Sequence, residues 1–115
     1  MIGTIKMNTD EGPKEMSFRA CGTTKIRYRQ VHGRDLDKDL NNLDPDSPDF
    51  DGETYDRLAY IMNASAEEKD MTKLNHDTYI EWLEHLEGFA TTSASRQIIS
   101  IYKGNRITTS IAKNQ

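Results

Sequence analysis

Cysteine is nearly absent from this chain. Cys21 stands alone, which excludes an intramolecular disulfide and a thiolate metal cluster, and fits a reducing compartment. Nowhere do eighteen apolar residues run together, so the sequence offers no membrane-spanning helix. The opening MIGTIKMNTDEG lacks the charged start and apolar run of a signal peptide; the expectation is a cytoplasmic protein whose translation product and mature form coincide. The seven glycines are scattered and build no phosphate-binding loop after a strand. The three histidines, His32, His76 and His85, make no HExxH motif and no Cys/His spacing. Glu81 and His85, four apart on an expected helix, read as a surface ion pair. No pair of carboxylates stands out, so no catalytic, metal or cofactor site is expected, and the chain does not read as an enzyme.

What is present is charge, unevenly placed. The 115 residues are 30% charged and 35% hydrophobic, with a net charge of −4. A chain of this length buries roughly 65% of its unfolded surface, enough for one core but not for a large internal cavity. The acidic balance argues against general nucleic-acid binding, which depends on neutralising phosphates. Yet residues 19–34 hold five cations (Arg19, Lys25, Arg27, Arg29 and Arg34) and no acid, and residues 35–56 hold nine acids against Lys38 alone.

The periodicity predicts a mainly α protein with an N-terminal β-hairpin packed on four or five short helices. The hairpin occupies residues 1–21: Ile5 and Met7, then Met16, Phe18 and Ala20, alternate with polar residues about the turn-forming stretch NTDEGPK. Residues 23–104 read as helical, completing one compact domain over 1–105. Thr23 or Thr24 is placed to cap a first helix with Ile26 and Val31 as apolar positions and Tyr28 between them. Gly33 suits its left-handed end, and Asp35 suits the cap of a second helix carrying Leu36, Leu40 and Leu43. Tyr55, Leu58, Ala59 and Met62 then mark a helix from Gly52 to Asn63. Tyr79, Trp82, Leu83 and Leu86 mark another, capped by Asp77 and ended by Gly88. A last helix, from near Ser93 to Gly104, carries Ile98, Ile99 and Tyr102. Residues 106–115 read as a mobile tail.

The acidic loop DPDSPDFDG, residues 44–52, does not fit a calcium loop. With Gly52 at the turn position, Leu58 stands where a bidentate glutamate is needed. Cys21 reads as a small buried thiol. Surface candidates are left. Arg27, Arg29 and Arg34 are available for a partner or for self-association. Tyr60, Ile61, Ile80 and Ile101 lie off the main apolar stripes and are candidate contacts.

Four stretches in order carry a resemblance. FRACGTTKIRYRQVHGRDLDKDL, FDGETYDRLAYIMNAS, TYIEWLEHLEGF and TTSIAKNQ are similar to successive blocks of the small tail assembly chaperones of siphoviruses and Gram-positive prophages. The blocks span residues 16–115, and Val31-His32 departs from the family, which has an aromatic before the glycine. The resemblance implies a non-catalytic viral protein of the host cytoplasm, absent from the mature virion. It would bind the tape measure protein, keep it soluble, and help recruit tail-tube subunits. The family also commonly makes a longer product by translational frameshifting, and Ala112-Lys113-Asn114 can be encoded by a slippery A-rich heptamer.

Two other readings stay open: a tail-completion or connector protein retained in the virion, and a small helical DNA-binding regulator. Against the second, the helix that would read bases is DLDKDLNNL, which is acidic. The charge split itself reads as an αα-hairpin with its charges facing across the turn.

Overall fold

The structure is a computed structural model that describes residues 2–113, with side chains through Gly104. It has an N-terminal antiparallel hairpin followed by helices, as the periodicity predicts. Strands β1 (Ile2–Thr9) and β2 (Gly12–Arg19) pair in a register that sets Ile5 opposite Met16 and Gly3 opposite Phe18. Because opposed residues share a face, Ile5, Met7 and Phe18 all enter the core. Gly3 sits where β1 crosses the last helix: a Cβ there would come within 2.7 Å of Ile101 Cδ1.

Helix α1 (Thr24–His32) ends at Gly33, whose φ of 67° is the left-handed conformation, and whose N–H donates to the Arg29 carbonyl. Helix α2 (Leu36–Asn41) starts on Asp35, whose carboxylate accepts from the Lys38 N–H. The α1 face differs from expectation. Tyr28 and Thr24 are buried and Ile26 is exposed, because the face turned to the core carries Thr24, Tyr28, Val31 and His32.

Helix α3 (Glu53–Ala66) packs against β2, α1, α2, α4, α5 and α6. A helix surrounded in this way has no solvent face to keep polar, and residues 57–64 are all buried. It ends in a Schellman-type closure: the Lys69 N–H donates to the Ala64 carbonyl, and Glu68 adopts a φ of 54°. A 3₁₀ turn (Met71–Lys73) follows.

Helix α4 (His76–Glu84) is capped by Asn75, not by Asp77. The Asn75 side chain accepts from the Thr78 N–H, and the Thr78 hydroxyl accepts in return from the Asn75 N–H. It ends before Gly88, because the hairpin tip captures residues 85–87. The Asp10 N–H donates to the His85 carbonyl at 2.9 Å, and the Glu87 N–H donates to the Asn8 carbonyl at 3.0 Å. A short α5 (Ala90–Ser93) precedes α6, Ser95–Lys113. Helix α6 runs through Gly104 instead of stopping there, since a single interior glycine costs only about 1 kcal/mol. Ala112 and Lys113 lie in its last turn; Asn114 falls outside the described residues.

Candidate functional site

The two charge blocks meet across the α1–α2 turn, and one acid of the second block, Asp39, is buried. The Arg34 guanidinium grips Asp39 with two bonds of 2.8 Å, Nε to Oδ2 and Nη2 to Oδ1. Tyr28, from α1, donates its hydroxyl to Asp39 Oδ2 at 2.6 Å and accepts from Arg57 Nε at 2.8 Å. Arg57 Nη2 reaches Asp51 of the acidic loop at 2.8 Å and Asp39 at 3.4 Å. Both Arg57 and Asp39 have side chains under 10% exposed, at 6% and 5%. The fork geometry of guanidinium explains why arginine, not lysine, occupies both cationic positions.

The network continues outward. Arg57 Nη1 lies 3.5 Å from Glu53, which accepts from the Tyr79 hydroxyl at 2.9 Å. Burial drives the Tyr28 and Tyr79 hydroxyls well above the usual phenol range. Burial alone would raise the Asp39 carboxyl, but hydrogen bonds from Arg34 and Tyr28 and the nearby guanidinium charges hold it below the ordinary value. Asp51 is lowered first by its bond from Arg57. Ionised carboxylates beside neutral tyrosines are thereby favoured, an arrangement that suits a structural joint. Every buried side-chain nitrogen and oxygen among the described residues has a partner.

His32 closes the top of this cluster. Its ring centroid lies 4.7 Å from that of Tyr79, 5.0 Å from Tyr28 and 6.4 Å from Tyr60. Its Nε2 is 3.2 Å from the Arg57 carbonyl, which can only accept, so Nε2 carries the hydrogen. Burial lowers the imidazole to about 4, which keeps it neutral. A second joint is Asn63, whose amide donates to the Ser17 carbonyl at 2.9 Å and accepts from Trp82 Nε1 at 3.0 Å. It ties the hairpin, α3 and α4 together.

The candidate contacts fall into two groups. Tyr60 and Ile61 are core residues, 4% and 0% exposed, because α3 is enclosed on every side; they are corrected from surface to interior. Arg34 is committed to Asp39 and stands 3.8 Å from Asp51. Ile101 is half-buried against Gly3. Arg29 pairs with Asp35 at 3.2 Å across the α1–α2 turn, and Lys25 with Asp37 at 3.8 Å. Among the described residues Arg27 makes one side-chain bond, a local one to Gln30. Ile80 is exposed, as are Ile2, Ile26, Phe50 and, at 79%, Phe89. His85 pairs with Asp10 of the hairpin tip at 3.2 Å instead of Glu81. Cys21 is half-buried, not enclosed, and the Thr23 hydroxyl 3.3 Å away lowers its thiol to about 7.

Arg57, Tyr28 and Asp39 of the buried network, Glu53 at its rim and Asn63 at the second joint were not singled out beforehand as site residues. One signal was available: no charged residue occurs from Leu58 to Ala66, as expected of a helix enclosed on all sides.

No family model, curated protein or solved structure matches this chain. Among the described residues no helix is long and apolar enough to cross a membrane, and no group of three or more His, Cys, Asp or Glu is placed to hold a metal ion.

Proposed function

We propose that the chain is a non-catalytic tail assembly chaperone that binds a phage tape measure protein and keeps it soluble until tail-tube subunits assemble around it. The observation that carries this reading is the ordered run of family-like blocks in the sequence. The geometry gives three of them a common physical meaning. GRDLDKDL supplies the turn glycine and the Arg34–Asp39 pair. LAYIMNAS is the enclosed part of α3, and EWL places Trp82 on Asn63. His32, which departs from the family's aromatic, packs its ring among three tyrosines and so fills an aromatic position.

The chemistry of the role agrees with the surface. A long helical client displays apolar stripes that aggregate before assembly. Exposed apolar side chains such as Ile26, Ile80 and Phe89 are suited to cover such stripes by side-on packing. Many weak contacts along one client add through effective concentration. Release then requires only competition from tube subunits. The tied ion pairs of the α1–α2 hairpin orient helices; exposed pairs of this kind contribute about 0–1 kcal/mol each.

The test begins with the DNA across codons 112–114 and the adjacent genes. A slippery A-run, an open −1 frame and a very long helical gene beyond it are the expected outcome. Co-expression with that gene product should then raise its soluble fraction, and purified particles should lack this chain. An unchanged soluble fraction overturns the chaperone reading, and stoichiometric retention in particles favours a connector protein.

A further inference from the structure

β2 occupies one edge of β1, and the other edge is free of a paired strand from Thr4 to Lys6 among the described residues. The alternation of backbone groups is set by the tip: Asn8 and Asp10 direct their carbonyl and N–H outward to Glu87 and His85, around the antiparallel bridge between Thr9 and Leu86. In an antiparallel strand this outward sense recurs every second residue, so Lys6, Thr4 and Ile2 present N–H and C=O to the same edge. After Glu87 the chain turns away into α5, and among the described residues nothing pairs with the outward groups of Thr4 and Lys6. The residues 85–87 already pair with this edge as a third strand for one bridge, two residues further along.

A groove runs beside the unpaired edge, between Gly3, Thr4 and Ile5 of β1 and Arg96, Gln97, Ser100 and Ile101 of α6. A strand added to β1 would lie over it, with alternate side chains turned toward α6 and the others toward solvent beside Ile2 and Lys6. Arg96 and Lys6 are both exposed and have no ion-pair partner among the described residues; Glu15, opposite Lys6 on β2, closes no pair with it. An edge lysine discourages strand addition, and carboxylates on an added strand would offset this by opposing the charges of Lys6 and Arg96.

We infer that the β1 edge from Ile2 to Lys6 binds an extended, acidic peptide segment of a partner protein by strand addition, with its carboxylates placed on Arg96 and Lys6. Main-chain bonds supply the affinity and the two cations select the sequence. The inference rests on the hairpin edge and α6 alone, and stands whether or not the partner is a tape measure protein.

The test selects a display library of random twelve-residue peptides against the full chain, then measures the enriched peptides as synthetic probes beside scrambled controls. The expected peptides carry Asp or Glu at two positions of opposite parity, one facing Arg96 and one facing Lys6, and slow amide exchange at Thr4 and Lys6 in NMR. Lys6→Pro removes the outward donor at an edge position that tolerates proline, and should weaken binding at least tenfold. Arg96→Glu, on the exposed face of α6, should switch the α6-facing position from acidic to basic while the position beside Lys6 stays acidic. Peptides that lack acids on both faces, or that bind without protecting Thr4 and Lys6, overturn the inference. So does concentration-dependent protection of those amides without peptide, which would make a second copy of this chain the occupant.

Discussion

Arg57 and Asp39, eighteen residues apart on α3 and α2, meet at 3.4 Å in the interior, and Tyr28 bonds to both. The paired charges are therefore held by neutral and ionic partners together, which is the condition under which burial of an ion pair is tolerated. Removing one partner is a different matter from removing the set.

Arg57→Ala should destabilise the fold by about 1–3 kcal/mol, because Tyr28 loses its donor and Asp51 its ion pair while Asp39 keeps Arg34. Arg57→Lys should recover only part of this loss, since an ammonium cannot reproduce the fork to Tyr28 and Asp51. Urea denaturation followed by circular dichroism checks both. A loss below 1 kcal/mol for the alanine variant would show that the network is dispensable.

Asn63→Ala removes an acceptor from Trp82 and a donor from Ser17 at one stroke. The expected cost is about 1–3 kcal/mol, for two polar groups left under-satisfied in a partly buried place. Trp82 is the sole tryptophan, so its fluorescence reports the change directly. The emission maximum should shift in the folded variant, and an unchanged spectrum would place the indole bond outside the joint.

Acid should weaken the protein in two steps. His32 is lowered by burial from 6.5 to about 4, so the unfolded chain binds more protons between those values. Its contribution is fully present above pH 6.5 and is lost as pH falls toward 4. A shift of that size corresponds to about 1–3 kcal/mol, allowing for the partial exposure of the ring. Asp39 and Asp51, both lowered, act below this window: their contribution is present above the ordinary aspartate value and is lost as pH drops below it. Asp56 is raised by burial and works in the opposite sense. Unfolding free energies from pH 7 to 4 should fall, and His32→Phe, which keeps an aromatic ring among the tyrosines, should flatten the upper step.

Glu68→Gly should stabilise the protein. Glu68 is the one non-glycine among the described residues with positive φ, and a side chain in the left-handed region costs about 1–2 kcal/mol. The extra freedom glycine gives the unfolded chain offsets part of this, leaving an expected net gain of about 0.5–1 kcal/mol in thermal or urea unfolding.

Local rules reach a definite distance into this molecule. The hairpin, the left-handed Gly33 and the Asp35 cap follow from residues within a few positions of one another. So does the period of α3. The same rules misplace Ile26, which fits an apolar helix position yet points to solvent. They also misplace the end of α4, where the hairpin's Asn8 and Asp10 outcompete continued helix. Of the surface candidates, Ile80 stays exposed while Tyr60 and Ile61 are enclosed.

The amino-acid sequence by itself determined the element types and the separation of basic from acidic residues, because alternation, caps and turn conformations are short-range properties of the chain. Only the tertiary structure decided which charges meet. Arg34 closes on Asp39 across one turn, while Arg57 crosses from another helix to reach Tyr28, Asp39 and Asp51. The reason is desolvation. An enclosed helix must bury whatever polar groups it carries, and each buried charge is stable only where distant parts of the chain supply its partners.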